Sequence, residues 1–225
     1  MIPLVVLDIT NQKRTLVGLA GGAVLLLTLL SLAMGEQAAN GIPVLLIGTA
    51  AWGFAEQNAY QDEKRDMWSF LRALPLPPQH IVGARYLSTA LVTLAFSALA
   101  VLPLSCLAGG TWPVAVGLGA GAGLSFTSLF NAVHFRSGYR AASTWFRYVF
   151  FLICLLSLLG WALKDRPGYS LLAAVVAGAA AWLRIHATTA VALVACSVLL
   201  LYAASWAYSA WTFAHRELPG GTWIP

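Results

Sequence analysis

Half of the eight acidic residues lie in one polar segment, Glu56–Arg85. They are Glu56, Asp62, Glu63 and Asp66. Neighbouring carboxylates can serve acid–base catalysis or hold a cation. However, the run from Asp62 to Asp66 reads Asp-Glu-Lys-Arg-Asp, and this alternation of sign favours mutual pairing in a solvated loop. The segment is therefore predicted to be structural, and Glu56, which borders an apolar stretch, is its one candidate for a buried functional acid.

Motifs that would give the chain its own chemistry are missing from the sequence. There is no GxxxxGK[ST], HExxH or GxSxG pattern, and the four histidines lie on separate segments without ligand spacing. The three cysteines lie in apolar stretches without CxxC spacing, which favours a role as small buried hydrophobes. We expect no catalytic residues, no metal and no cofactor bound by this chain.

Composition indicates a membrane protein. Hydrophobic residues make up 60% of the 225 residues and charged residues only 9%, whereas soluble domains carry about 25% charged residues. The net charge of +5 is spread between apolar runs, so it indicates membrane orientation rather than a nucleic-acid surface. We therefore expect membrane lipid as a partner and no nucleic acid.

Apolar runs of about 20 residues predict an all-α integral membrane protein with six transmembrane helices in a single domain, residues 1–225. An N-terminal interfacial helix is predicted at 1–14, and the run after it is too long for a signal peptide. A short outer segment at 169–184 is predicted to be re-entrant, with a seventh span as the alternative. The spans are predicted at about 15–35, 41–60, 84–108, 112–134, 144–163 and 187–214.

Positive charge predicts the orientation. With a cytoplasmic N-terminus and six spans, ten of the 13 Lys and Arg residues lie inside, as the positive-inside rule requires. Both termini are then cytoplasmic. The seven-span alternative also places ten of these residues inside, so charge does not decide between the two models.

A short amphipathic helix is predicted at 66–74 within the polar segment. Its apolar residues Met67, Phe70, Leu71 and Leu74 have the i, i+3, i+4, i+7 spacing of one helix face. Prolines 75, 77 and 78 end the pattern. Such a helix can lie on lipid headgroups or in a groove of a partner protein, and the spacing fits both.

Two cytoplasmic segments resemble those of a known family, the small ABC-type-2 permeases. These proteins typically carry "DEK…W…L…LP…IV…KY" between their second and third spans. This chain has Asp62-Glu63-Lys64, Trp68, Leu71, Leu74-Pro75, Ile81-Val82 and Arg85-Tyr86, with Arg85 in place of the usual Lys. The run Phe135–Ala142 (FRSGYRAA) is similar to the family's second pattern, "F+fGY++AR", without its final Arg.

The resemblance implies an exporter permease of the bacterial cytoplasmic membrane. A second permease copy or a paralogue would complete the path, and two cytoplasmic ABC ATPase subunits would bind the ATP and Mg. The helix at 66–74 would couple to the ATPase. The residues implied in that contact are Asp66, Met67, Trp68, Phe70, Leu71, Arg72 and Leu74.

Two more sets of residues are candidates for function. The second cytoplasmic loop is represented by Arg136, Gly138, Tyr139 and Arg140. Candidates for the translocation path are Trp52, Glu56, Asn58 and Asn131. The expected substrate is an amphipathic peptide or other hydrophobic compound, with haem or lipid as alternatives. An intramembrane lipid-modifying enzyme is the alternative from another class, and it would use the same polar groups.

Overall fold

The computed structural model describes residues 2–13, 16–18, 21, 22, 25, 42–65, 67–107, 112–163 and 187–215. All regular structure within these ranges is helical, as predicted. The predicted re-entrant segment 169–184, Asp66 and most of the predicted first span 15–35 lie outside the described residues. The helices are α1 Ile2–Asn11, α2 Ile42–Lys64, α3 Met67–Ala73, α4 Pro78–Leu107, α5 Trp112–Ser137, α6 Tyr139–Leu163 and α7 Ala187–His215.

Proline sets the helix boundaries around α3. The chain leaves α3 at Ala73, passes through Pro75 and Pro77, and enters α4 at Pro78. Proline suits the first position of a helix because its missing N–H would have no helical partner there. For this reason α4 begins at Pro78, six residues before the span predicted at 84–108.

Three helical segments among the described residues are long and apolar enough to cross a membrane. They are Pro78–Val101 in α4, Val116–Ser137 in α5 and Val191–His215 in α7. The other spans of the six-span prediction stay predictions. α2 continues past the predicted end at 60 to Lys64, and so includes four charged residues, Glu56, Asp62, Glu63 and Lys64.

α5 is the central helix of the described bundle, since it packs against α2, α4, α6 and α7. The closest approach is at Gly123. A Cβ added there would lie 3.1 Å from Thr93 Cγ2 on α4 and 3.2 Å from Ala51 Cβ on α2. Gly117, on the same helix, has no such neighbour within 4 Å. Gly123 therefore serves close helix packing, because both neighbouring helices leave no room there for a side chain.

A single residue, Gly138, separates α5 from α6. Its φ of 86° lies in the left-handed region that favours glycine. Its N–H donates to the carbonyl oxygen of His134 at 2.8 Å, which closes the end of α5. The second predicted loop is thus a tight helical corner rather than an extended segment.

Candidate coupling region and buried polar site

Apolar side chains of five helices pack together at the end of the bundle where α3 lies, which we call the α3 end. An apolar cluster joins Leu71 of α3, Ile81 and Val82 of α4, Phe135 of α5 and Phe213 of α7. Leu4 of α1 packs against the same cluster. The short helix α3 is therefore fixed to a core that includes three of the long helices.

The apolar residues of α3 divide between two directions. Leu71 is buried at 4% exposure, and Met67 and Leu74 are partly buried against the core cluster. Phe70 is 53% exposed. Phe70 is the one whose described surface is open to a partner, and the side chains of Trp68 and Arg72 lie outside the description.

The two polar segments of the sequence are brought together at the α3 end. Arg140 Nε lies 3.5 Å from Glu63 Oε1, and the ring of Tyr139 meets that of Tyr60 edge-on at 5.6 Å between centroids. Lys64 Nζ lies 5.8 Å above the Tyr60 ring. The charged pair is exposed and contributes little to stability, but it places the α5–α6 corner beside the end of α2. Arg136 is exposed at the last turn of α5.

A buried ionic cluster lies a short distance from this surface. The guanidinium of Arg85 on α4 donates to Asp8 of α1 through one nitrogen and to Asp62 of α2, at 2.5 Å, through the other. Ser88 also donates to Asp8, at 3.2 Å. The side chains of Arg85, Asp8 and Asp62 are only 14%, 6% and 8% exposed. Burial raises the pKa of Asp62 to about 6, and raises that of Asp8, against the lowering effect of Arg85.

Two of the predicted path residues, Asn58 and Asn131, line a small cavity beside this ionic cluster. Asp62, Arg85, Thr89 and His134 line it too. The cavity measures about 10 Å³, roughly what one water molecule needs. Asn58 accepts a hydrogen bond from Gln12 Nε2, whereas Nδ2 of the buried Asn131 has no acceptor among the described residues.

The other two predicted path residues face α6. Glu56 Oε1 accepts a hydrogen bond from Ser143 at 2.7 Å and lies 3.6 Å from Arg147. Trp52 stacks on Phe146 with 6.5 Å between the ring centroids. The four predicted path residues therefore belong to two places, one at the α2–α6 contact and the other at the buried ionic cluster.

A second polar network, which was not predicted as a site, surrounds Tyr86. Its hydroxyl lies 2.7 Å from Ser205 Oγ and 2.9 Å from Ser209 Oγ, both on α7. Ser205 donates in turn to the carbonyl oxygen of Ser128 on α5 at 2.6 Å, and the Tyr202 hydroxyl donates to the carbonyl oxygen of Tyr86. The only signal in the sequence was the Arg85-Tyr86 pair in the family pattern. The structure gives these neighbours different partners, α1 and α2 for Arg85, and α5 and α7 for Tyr86.

Comparison with known proteins agrees with this architecture. The chain matches the family model described as ABC-2 family transporter protein over residues 3–214. No curated protein and no solved structure matches it. The matched range contains all the described helices, apart from the first residue of α1 and the last residue of α7. The chain belongs to the ABC-2 family of transporter membrane proteins.

Proposed function

We propose that this chain is the permease subunit of an ATP-driven exporter. It crosses the bacterial cytoplasmic membrane six times, with both termini in the cytoplasm. The observation that carries the proposal is the family match over residues 3–214, since membrane subunits of this family typically work with an ABC ATPase. Two copies of that ATPase bind ATP and Mg, and a second permease copy or a paralogue completes the path.

The packing of α3 supports a role in coupling. Leu71, Met67 and Leu74 hold the helix to the core cluster, which contains residues of α4, α5 and α7. A partner that displaces α3 therefore moves three long helices with it, as a rigid-body switch requires. Phe70 points away from this core and offers the partner an apolar anchor.

The α2–α6 contact is our proposal for part of the translocation path. Trp52, Phe146 and Phe126 form an aromatic surface there, and Glu56 is the acid at its edge. Aromatic rings beside one carboxylate suit an amphipathic substrate with apolar and cationic parts. An amphipathic peptide is the substrate class that we favour.

The first test changes Phe70 to Asp. The tagged chain is purified in mild detergent after co-expression with ABC ATPases from the same organism, and ATP turnover is measured with and without the permease. We expect F70D to abolish permease-dependent ATP turnover without changing the thermal unfolding midpoint, because a half-exposed side chain contributes little to the core. Phe70→Leu, which retains the apolar anchor, should preserve most of the coupling.

Leu71→Ala is the matched control on the neighbouring residue. Truncating this buried side chain should destabilise the chain by about 2–5 kcal/mol, so L71A lowers the unfolding midpoint where F70D does not. Normal ATPase coupling in a folded F70D variant would contradict the role of α3. Failure of any ATPase to co-purify with the wild-type chain would contradict the proposed function itself.

A further inference from the structure

The buried ionic cluster contains more negative than positive charge. Asp8 and Asp62 both contact the guanidinium of Arg85. With both acids ionised, one positive charge faces two negative charges in a region where all three side chains are largely buried. A net buried charge is costly, and a carboxyl group in this position relieves the cost by taking up a proton.

Among the described residues that line the cluster and its cavity, Arg85 is the one Lys or Arg side chain. α1 contributes Asp8, α2 Asp62 and α4 Arg85, and α5 contributes His134 to the cavity that Asp62 and Arg85 line. Ring contacts hold His134 against Phe130 and Phe135. The residues of α3 that pack toward the core are apolar. The nearby charges on Glu63 and Glu56 are paired elsewhere, with Arg140 and Arg147.

Hydrogen bonding distinguishes the two acids. Asp8 accepts hydrogen bonds from Arg85 and Ser88, whereas the described partner of Asp62 is Arg85. Donors stabilise the ionised form of a carboxyl group, so Asp62 is the better place for a proton. The adjacent cavity has room for one water molecule, and Nδ2 of Asn131 can donate a hydrogen bond to it. Such a water molecule would carry the proton to and from Asp62.

We propose that Asp62, Asp8 and Arg85 form a proton-binding site that takes up one proton when α1 docks on the bundle. When α1 is separated, Asp62 and Arg85 form a balanced pair and Asp62 is ionised. When α1 docks, Asp8 adds a second carboxylate, and one H⁺ from the solvent binds to a carboxylate oxygen of Asp62. The proton leaves again when α1 separates.

The direction of the pH effect follows from linkage. Burial raises the pKa of Asp62 to about 6 in the docked state, above the ordinary value of about 3.9. Between these two pKa values docking takes up a proton, so docking weakens as the pH rises toward about 6 and is independent of pH above it. With one proton taken up, the docking equilibrium changes by at most tenfold per pH unit.

Infrared spectroscopy can detect the proton directly. The full chain is studied in a maltoside detergent, which has no carbonyl group, and the C=O stretch of protonated carboxylic acid is followed as the pH is lowered from about 8 to about 5. Labelling aspartate with ¹³C distinguishes its band from those of glutamate. We expect an aspartic acid band that grows with a midpoint near 6 and disappears in Asp62→Asn. Glu63→Gln is the matched control, because it removes the neighbouring, more exposed acid and should leave the band unchanged.

Hydrogen exchange of the α1 amides supplies the second readout. In the wild-type chain, protection of α1 should decrease by up to tenfold per pH unit as the pH rises from about 4 to about 6, and should level off above about 6, after correction for the intrinsic exchange rate. Asp62→Asn, which resembles the protonated acid, should remove this dependence while α1 stays protected. An aspartic acid band that D62N and Asp8→Asn both leave unchanged, or α1 protection that is independent of pH in the wild type, would overturn the proposal. Neither result depends on transport or on an ATPase.

Discussion

At the scale of single residues, Arg85 and Tyr86 show how two adjacent side chains organise the α3 end. Consecutive residues of a helix point about 100° apart, so they reach different neighbours. Arg85 binds acids on α1 and α2, and Tyr86 binds hydroxyl groups on α7. Both belong to the family pattern, and the structure gives each a role inside the chain rather than on its surface.

Replacing Tyr86 by Phe tests the second of these roles. The change removes one buried hydroxyl and leaves Ser205 and Ser209 without their shared partner. Hydrogen bonds between membrane helices contribute about 0.6 kcal/mol on average and up to about 1.7, so we expect Y86F to destabilise the chain by about 1 kcal/mol. The free energy of unfolding in mixed micelles is the measurement.

Tyr60→Phe is the control for this prediction. Tyr60 is 39% exposed and contacts Tyr139 and Lys64 through its ring rather than its hydroxyl. Y60F should therefore leave the free energy of unfolding almost unchanged. Equal effects of Y86F and Y60F would show that the hydroxyl network contributes no stability.

At the scale of helices, α5 depends on small residues to approach two neighbours at once. Gly123 lies where a side chain would meet both Thr93 of α4 and Ala51 of α2. Gly117, six positions earlier, is open to its surroundings. Small residues let membrane helices approach closely, and the energy comes from the packing that this permits.

Gly123→Val should separate these helices. The added methyl groups cannot fit between Thr93 Cγ2 and Ala51 Cβ without a backbone shift, and overpacking of this kind costs about 1–3 kcal/mol. Gly117→Val makes the same chemical change where nothing lies within 4 Å, so it should have little effect. Unfolding midpoints of the two variants in the same detergent provide the comparison, and a loss in G117V as large as that in G123V would contradict this explanation.

The sequence predicted the positions of the helices well, but it predicted few of the contacts between them. The prolines after Leu74 and the apolar spacing of 66–74 located α3 nearly to the residue. The same spacing could not show that Leu71 packs into the chain's own core while Phe70 faces outward, because an apolar stripe has the same period whether it meets a core, a lipid or a partner. Nor could it pair Asp8 with Arg85, which are 77 residues apart.

Asn58 and Asn131 illustrate a further limit. The sequence selected them as rare polar residues in apolar runs, and the structure brings both to one cavity. The sequence predicts Asp62 in a solvated loop, and this prediction is wrong, because Asp62 lies in the last turns of α2 and is buried beside Arg85. Alternating charges in sequence gave no sign that Asp62 is buried while Glu63, its neighbour, is exposed.

At the scale of the whole molecule, the charges of the described bundle gather at one end. Lys64, Arg65, Arg85, Arg136 and Arg140 lie near the α3 end, where α7 also finishes beside Phe135. The first turns of α5 and α7, at the opposite end, contain no charged residue. α5 is 26 residues long and so spans about 39 Å, more than a hydrocarbon core of about 30 Å. By the positive-inside rule we expect the α3 end to face the cytoplasm.

Two single cysteines, one in the first turn of α5 and the other in the first turn of α6, test this orientation in cells. In a chain whose native cysteines are replaced by Ala, Val114→Cys and Arg140→Cys place exposed thiols at opposite ends. A membrane-impermeant maleimide should label V114C in intact cells, and R140C only after the membrane is opened, because the basic end is retained in the cytoplasm. A permeant maleimide should label both, which controls for reactivity. The reverse pattern would place α3 outside the cell, where no ATPase could reach Phe70, and the coupling role of α3 would then be wrong even though the packing of the bundle is unchanged.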